Sequence, residues 1–250
     1  MPDHRYHQFC PLARALDVAG DRWTLLVVRE LVPGPRRFTD LLDGLPGVSR
    51  NLLTERLRDL ERHGIVARHD LPPPAARQVY ELTADGRDLA AALGPLIAWG
   101  ARRLGDREPT DSFHPRWAAV GMSVLADRQA AAGVREAYQF VIDRWVFHFV
   151  VDDGSIELRD GWAADAADPA VTWTTDEDTW AQIVSGRLTP AAAVNKGALT
   201  VEGTAKAARR LGKIFSPPKS PHVTTTSSTP SPPRPDEPTR RPRPSRTSPR

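Results

Sequence analysis

The stretch from Ser49 to Val66, SRNLLTERLRDLERHGIV, constrains the fold of this chain more than any other, because it specifies a helix with its start, its stop and its buried side. Ser49 can accept a hydrogen bond from a first-turn amide, and Gly64 can turn left-handed without steric cost. At about 100° per residue, Leu53, Leu57 and Leu60 fall in one stripe and Leu52 on its flank, while Asn51, Thr54, Glu55, Arg58 and Arg62 fall together opposite. A short amphipathic helix is stable only when its apolar stripe is packed, so its neighbours decide what it builds.

Upstream, Leu12, Ala15, Leu16 and Ala19 have helical spacing up to a break at Gly20. A second helix is predicted from about Asp21, with Trp23, Leu26, Val27 and Leu31 apolar at helical spacing and VPGP at Val32 to Pro35 ending it. In RRFTDLLDGLPGV, Phe38, Leu41 and Leu42 can face inward on a brief helix before Gly44 to Gly47 turns the chain into the bounded helix. Two short helices joined by a tight turn, the second polar on its outer face, form a helix-turn-helix. IVARHD and RQVYEL then predict two strands around the Pro-rich segment Leu71 to Ala76, a wing, and Thr83 caps a last helix to about Leu104 containing Leu89, Leu93, Leu96, Ile97 and Trp99.

Composition divides the remainder. From Ser216 the text SPPKSPHVTTTSSTPSPPRPDEPTRRPRPSRTSPR lacks apolar periodicity and is expected to be disordered. Residues 1–107 carry a net charge of +2, residues 108–215 of −4 and the tail of +5, so the basic balance lies in the first part and the tail. No apolar run is long enough to span a bilayer and MPDHRYHQFC does not read as a signal peptide, so the expected location is cytoplasmic, on the nucleoid. A single cysteine, Cys10, excludes an intramolecular disulfide or a multi-thiolate zinc site within one chain. The histidines show no ligand spacing, and there is no glycine-rich phosphate loop or nucleophile elbow. No metal, cofactor or catalytic residue is expected, and the chain is not read as an enzyme.

Residues 10 to about 104 resemble the HxlR-type winged-helix transcription regulators, relatives of the MarR group. The resemblance rests on Cys10-Pro11, GDRWTLLVVREL from Gly20, RRFTDLL from Arg36, SRNLLTERLRDLERHGIVAR from Ser49 and VYELTADGRDL from Val79; Asp21-Arg22 and the prolines of the wing are departures. It gives the polar face a meaning. Asn can pair with adenine, Arg with guanine, Thr can touch the thymine methyl and Glu can accept from cytosine, which is the chemistry of major-groove readout. Double-stranded DNA is therefore the expected partner of Ser49, Asn51, Thr54, Glu55 and Arg58, with Arg36, Arg37 and Arg50 on phosphates and Arg77 as the wing contact. Glu55 and Arg62 can instead salt-bridge along the helix, and Arg36 can simply be solvated.

The resemblance further implies a homodimer paired through the first and last helices, reading a palindromic site, with Leu12, Leu16, Leu93 and Trp99 in the interface or in an intramolecular core. Cys10, next to the first helical residue Pro11, is either an oxidisable sensor of the kind some relatives use or a small buried residue.

After a linker, residues 108–114, the segment 115–215 predicts an α+β domain. A helix with Trp117, Val120, Met122 and Leu125 precedes three antiparallel strands turned at Asp143-Arg144 and Asp153-Gly154. AVTWTT, DEDTWAQIVSGRL, TPAAAVNKG, ALTVEG and TAKAARRLGKIF add two strands and three helices. The acidic run Asp176 to Asp178 reads as helix capping. The order resembles the sterol-carrier-protein-like domain, which implies an antiparallel sheet with helices holding an apolar small-molecule ligand. Trp145, Phe147, Phe149, Trp173, Trp180 and Ile183 are then pocket candidates, or ordinary core. The predicted whole is a mainly α winged helix-turn-helix domain, 1–107, joined to the α+β domain and the tail, 216–250. Its expected role is DNA-binding regulation, modulated by an apolar ligand or Cys10 oxidation; a lipid carrier with a winged-helix interaction module is the alternative.

Overall fold

A computed structural model describes residues 5–70, 78–105, 107, 108, 110–163 and 168–215. The wing tip with Arg77 and the tail from Ser216 lie outside the described residues.

The first half begins with α1 (Pro11–Ala19), α2 (Thr24–Leu31), α3 (Phe38–Asp43) and α4 (Arg50–Arg62). The Ser49 hydroxyl accepts from the Leu52 amide at 3.2 Å, and Gly64 takes φ +71° past the other end of α4, as the bounded stretch predicts. The second helix starts later than its periodicity suggests. Trp23 adopts a left-handed conformation, φ 80°, so residues 21–23 form a turn and α2 opens at Thr24.

Strands β1 (Val66–Asp70) and β2 (Gln78–Leu82) pair antiparallel, and Arg36 adds a bridge to Tyr80 through bonds of 2.9 and 2.7 Å in both directions. Thr83 caps α5 (Ala84–Ala101) by accepting from the Gly86 amide at 3.1 Å. Only glycine fits at position 86, because a Cβ there would lie 2.1 Å from the Ile65 carbonyl oxygen. Val27, Val28, Leu31, Leu41, Leu53, Leu57, Leu60, Leu82 and Leu93 close one core.

The second half opens with α6 (Pro115–Leu125), followed by β3 (Arg135–Ile142), β4 (Trp145–Asp152), β5 (Ser155–Asp160) and β6 (Val171–Thr175). Then come α7 (Glu177–Val184), α8 (Pro190–Asn195), β7 (Leu199–Gly203) and α9 (Ala205–Ile214). The hairpins turn at Asp143-Arg144 and Asp153-Gly154, with Asp143, Asp153 and Gly154 at positive φ. Asp176 caps α7, accepting from the Thr179 amide at 2.7 Å; that bond holds its carboxyl below the usual range.

The sheet order is β5-β4-β3-β6-β7, and one pairing corrects the wholly antiparallel expectation: β3 and β6 run parallel. The hairpins are set by local turns, but the path from β5 to the far side of β3 is a crossover with no local signature. Gly161 and Ala163, at the start of that path, bond residues of β3 and β4. Gln139 donates to the Phe147 carbonyl at 2.8 Å and accepts from the Ala163 amide at 2.8 Å, beside His148 and the Gly161 carbonyl at 3.0 Å. On the other face Phe140, Phe147, Phe149, Trp173 and Trp180 form the second core.

Both cores belong to one compact unit, Met1–Pro218, and Val32 packs against both. Helices α5 and α6 approach closely where Gly94 faces the Val124 carbonyl. Within residues 108–114 Phe113 packs on the second core, and Arg107, just before them, lies 5.3 Å over its ring and 3.4 Å from Asp178.

Candidate nucleic-acid interface

The buried stripe of α4 fixes which side of the helix meets solvent. Leu53, Leu57 and Leu60 are at most 2% exposed, whereas Arg50, Asn51 and Arg58 are exposed and Thr54 and Glu55 half-buried. The Thr54 hydroxyl donates to the Arg50 carbonyl at 2.8 Å, so its donor is already used. Arg50 lies 6.0 Å over the Phe38 ring at the start of α3. Ser49 is exposed but spends its hydroxyl on the cap.

The other charges of α4 are largely paired. Arg56 bonds Asp21 and, at 3.2 Å, Asp59; Arg62 bonds Asp59; Glu55 lies 3.6 Å from Arg56. Among the described residues no carboxylate is paired with Arg58. The face thus separates into pairs that staple the helix and groups, Asn51 and Arg58 above all, that are exposed and have no side-chain partner among the described residues.

Of the predicted phosphate contacts, Arg37 is exposed at the N-cap of α3, its amide donating to Asp40 at 3.2 Å. Arg36 is a correction. Its side chain is only 12% exposed and forms an ion pair with Asp160 of β5, so it is drawn into the molecule instead of toward an external phosphate. Arg77 lies outside the described residues.

The expected dimer residues also divide. Leu12 (67% exposed), Leu16 (40%) and Trp99 (49%) lie at the surface of α1 and α5, and Leu96, close before Trp99 on α5, is exposed too. Leu93, 5% exposed, belongs to the intramolecular core instead. Cys10 is half-buried at the N-cap of α1.

The six aromatic and aliphatic candidates divide between the second core and a cavity at the start of α6. Phe147, Phe149, Trp173 and Trp180 pack with Phe140 at centroid separations of 5.4 to 5.6 Å, and Ile183 packs against this core. Trp145 and Phe147 instead border a cavity of about 270 Å³ with His114, Arg116, Arg144, Val146 and Asp160. Among the described residues no group of three His, Cys, Asp or Glu could hold a metal ion.

The most densely bonded polar cluster escapes the sequence reading. Glu30 of α2 is buried, and its carboxylate accepts from Arg29 at 3.0 and 2.7 Å, Arg116 at 3.1 Å and Trp117 Nε1 at 2.9 Å. Arg116 also lies 3.5 Å from Asp160, the partner of Arg36. Burial draws the Arg29 guanidinium below its ordinary pKa, opposed by Glu30, and lowers His114 to about 4, with Arg116 adding to that shift. The available signal was a carboxylate three residues after Val27 on the buried side of α2.

Residues 18–108 match the HxlR-like helix-turn-helix family. The HTH-type transcriptional regulator YvaP of Bacillus subtilis is 38% identical over 93 residues, 37% of this chain and 86% of that protein. The chain belongs to the HxlR-like helix-turn-helix family. The uncharacterized HTH-type transcriptional regulator sll1512 of Synechocystis is 46% identical over 84 residues, 34% of this chain and 62% of its own length, so this chain spans under two thirds of that relative. The reduced form of the transcriptional regulator YodB of Bacillus subtilis is a solved structure with 34% identity, covering 42% of this chain and 100% of YodB at a TM-score of 0.35. Beyond the HxlR-like part, residues 122–216 match the SCP-2 sterol transfer family.

Proposed function

We propose that this chain is a sequence-specific DNA-binding transcriptional regulator that acts as a dimer on a palindromic operator and catalyses no reaction. The observation that carries this reading is the α4 face: Asn51 and Arg58 stand exposed, beside Arg50 and Thr54, while neighbouring charges are paired within the chain. Arg58 and Asn51 can each make bidentate bonds to a purine in the major groove, and Arg37, Arg50 and the amides opening α4 supply phosphate contacts. The names of the relatives, HTH-type transcriptional regulators, favour the same role. Leu12, Leu16 and Trp99 form the dimer contact, and the protein works in the cytoplasm at the nucleoid. Selection of duplexes from a random pool by the purified chain tests this: recovery of a two-fold symmetric site supports it, and a pool that stays random overturns it.

Activity is set either by an apolar ligand or by oxidation of Cys10. A second reading, a lipid carrier whose winged helix serves for interaction, is favoured by the SCP-2 match. It predicts saturable uptake of a fluorescent fatty acid with no preference among duplexes.

A further inference from the structure

The cavity between the start of α6 and strands β4 and β5 has the wrong lining for a purely apolar ligand. Its walls bring Trp145 together with Arg116 and Arg144, and one acid, Asp160, lies among them. Arg144 is exposed at the β3–β4 turn, 4.9 Å over the Trp145 ring, and among the described residues no carboxylate is paired with it. Asp160 is shared between Arg36 and Arg116, while Glu30 is surrounded by Arg29, Arg116 and Trp117. Two guanidinium groups, Arg116 and Arg144, thus line the cavity with one carboxylate, Asp160, while Glu177 accepts from Trp145 Nε1 at 2.8 Å. The Nε of Arg36 is buried without a hydrogen-bond partner. A half-enclosed hollow with surplus positive charge and an indole wall suits a ligand with one anionic end and an apolar body.

We propose that this cavity binds a small carboxylate with an aromatic or aliphatic body, the acid bonding Arg144 and Arg116 and the body lying on Trp145. The volume, just below the range typical of drug-sized ligands, sets a small body. Bound there, the acid competes with Asp160 for Arg116 and disturbs the ion pair of Asp160 with Arg36. Arg36 bonds the wing strand through Tyr80 and stands two residues before α3, so the ligand acts on the elements that hold α4. Such an effect requires unequal affinity for two arrangements of the chain. The binding site stands independently, whereas its regulatory effect rests on the DNA-reading proposal above.

The test is calorimetric titration of the full chain with 2-naphthoate, decanoate and indole-3-acetate, and with 2-naphthalenemethanol as the neutral counterpart. At least one carboxylate is expected to bind, the alcohol and the Arg144→Gln variant each showing binding weaker by about tenfold or more, the value of a charge-assisted contact. Arg144 is exposed, so its replacement leaves the fold intact, which circular dichroism checks. Failure of all three acids to bind, equal affinity for naphthoate and its alcohol, or an unaffected Arg144→Gln variant overturns the site. The effective acid should then shift affinity for the selected duplex by about fivefold or more. An unchanged duplex affinity overturns the coupling. Lack of any duplex preference overturns the regulator reading and leaves the calorimetric result to judge the site by itself.

Discussion

Glu30→Gln is the most informative single change to the scaffold, because it keeps the shape of the side chain while removing its charge. The Glu30 side chain is 1% exposed and its two oxygens divide the donors: Oε1 serves Arg29 and Trp117, and Oε2 serves Arg116 at 3.1 Å. An amide oxygen can keep Arg29 and Trp117, but its nitrogen would face the Arg116 guanidinium, donor against donor. Removing one member of a buried ion pair costs about 3–5 kcal/mol. Here Arg116 retains Asp160 at 3.5 Å, which places the loss at the lower end, about 3 kcal/mol. For a chain of this size that lowers Tm by roughly 6–12 °C. Urea unfolding followed by tryptophan fluorescence at neutral pH measures it. Arg116→Met should cost a similar amount, and Glu30→Leu with Arg116→Met less than the two single losses combined, since the pair leaves together. Single losses below about 0.5 kcal/mol, or strict additivity, would refute the view that this cluster ties the two halves.

Acid should weaken the fold through His114, whose pKa falls from 6.5 to about 4 on folding. Above pH 6.5 the ring is neutral in both states; between there and about 4 only the unfolded chain takes up the proton, so stability declines and the loss is complete below about 4. Discounted for partial solvent access, the loss is on the order of 1 kcal/mol. It should vanish from the pH profile of His114→Asn, and an unchanged profile would count against it. Leu16→Glu and Trp99→Glu should yield monomers in analytical ultracentrifugation. Leu93→Ala should instead destabilise each chain by about 3 kcal/mol in urea, as a core truncation does. A dimer surviving both surface changes would contradict the assigned interface. Alkylation of Cys10 should change duplex affinity in an anisotropy titration, and unchanged affinity would dismiss it as a sensor.

The elements legible in the sequence are those whose determinants are local. Ser49 and Gly64 bound α4, Thr83 opens α5, and Asp153-Gly154 turns a hairpin, each through contacts within a few residues. Periodicity also separated the buried leucines of α4 from Asn51 and Arg58. It could not see that Arg36 is held by Asp160, more than a hundred residues away, or that β6 lies parallel to β3. Nor does a pattern of aromatics say which of them meet; Phe140, Phe147 and Trp180 pack on one another, while Trp145 borders the cavity beside Arg116. Leu93 shows the same limit. Core and interface leucines share one periodicity, and only the packing of α5 assigns it inward.

The central claim, that the outer face of α4 lies against base edges, is tested most directly by Arg58→Ala titrated against the selected duplex and a set of its single-base-pair variants. The account predicts a loss of about 1–3 kcal/mol on the selected duplex together with indifference at one base position that the unaltered protein discriminates. An equal loss on every duplex would contradict it, since a side chain that grips only phosphate weakens binding without regard to sequence.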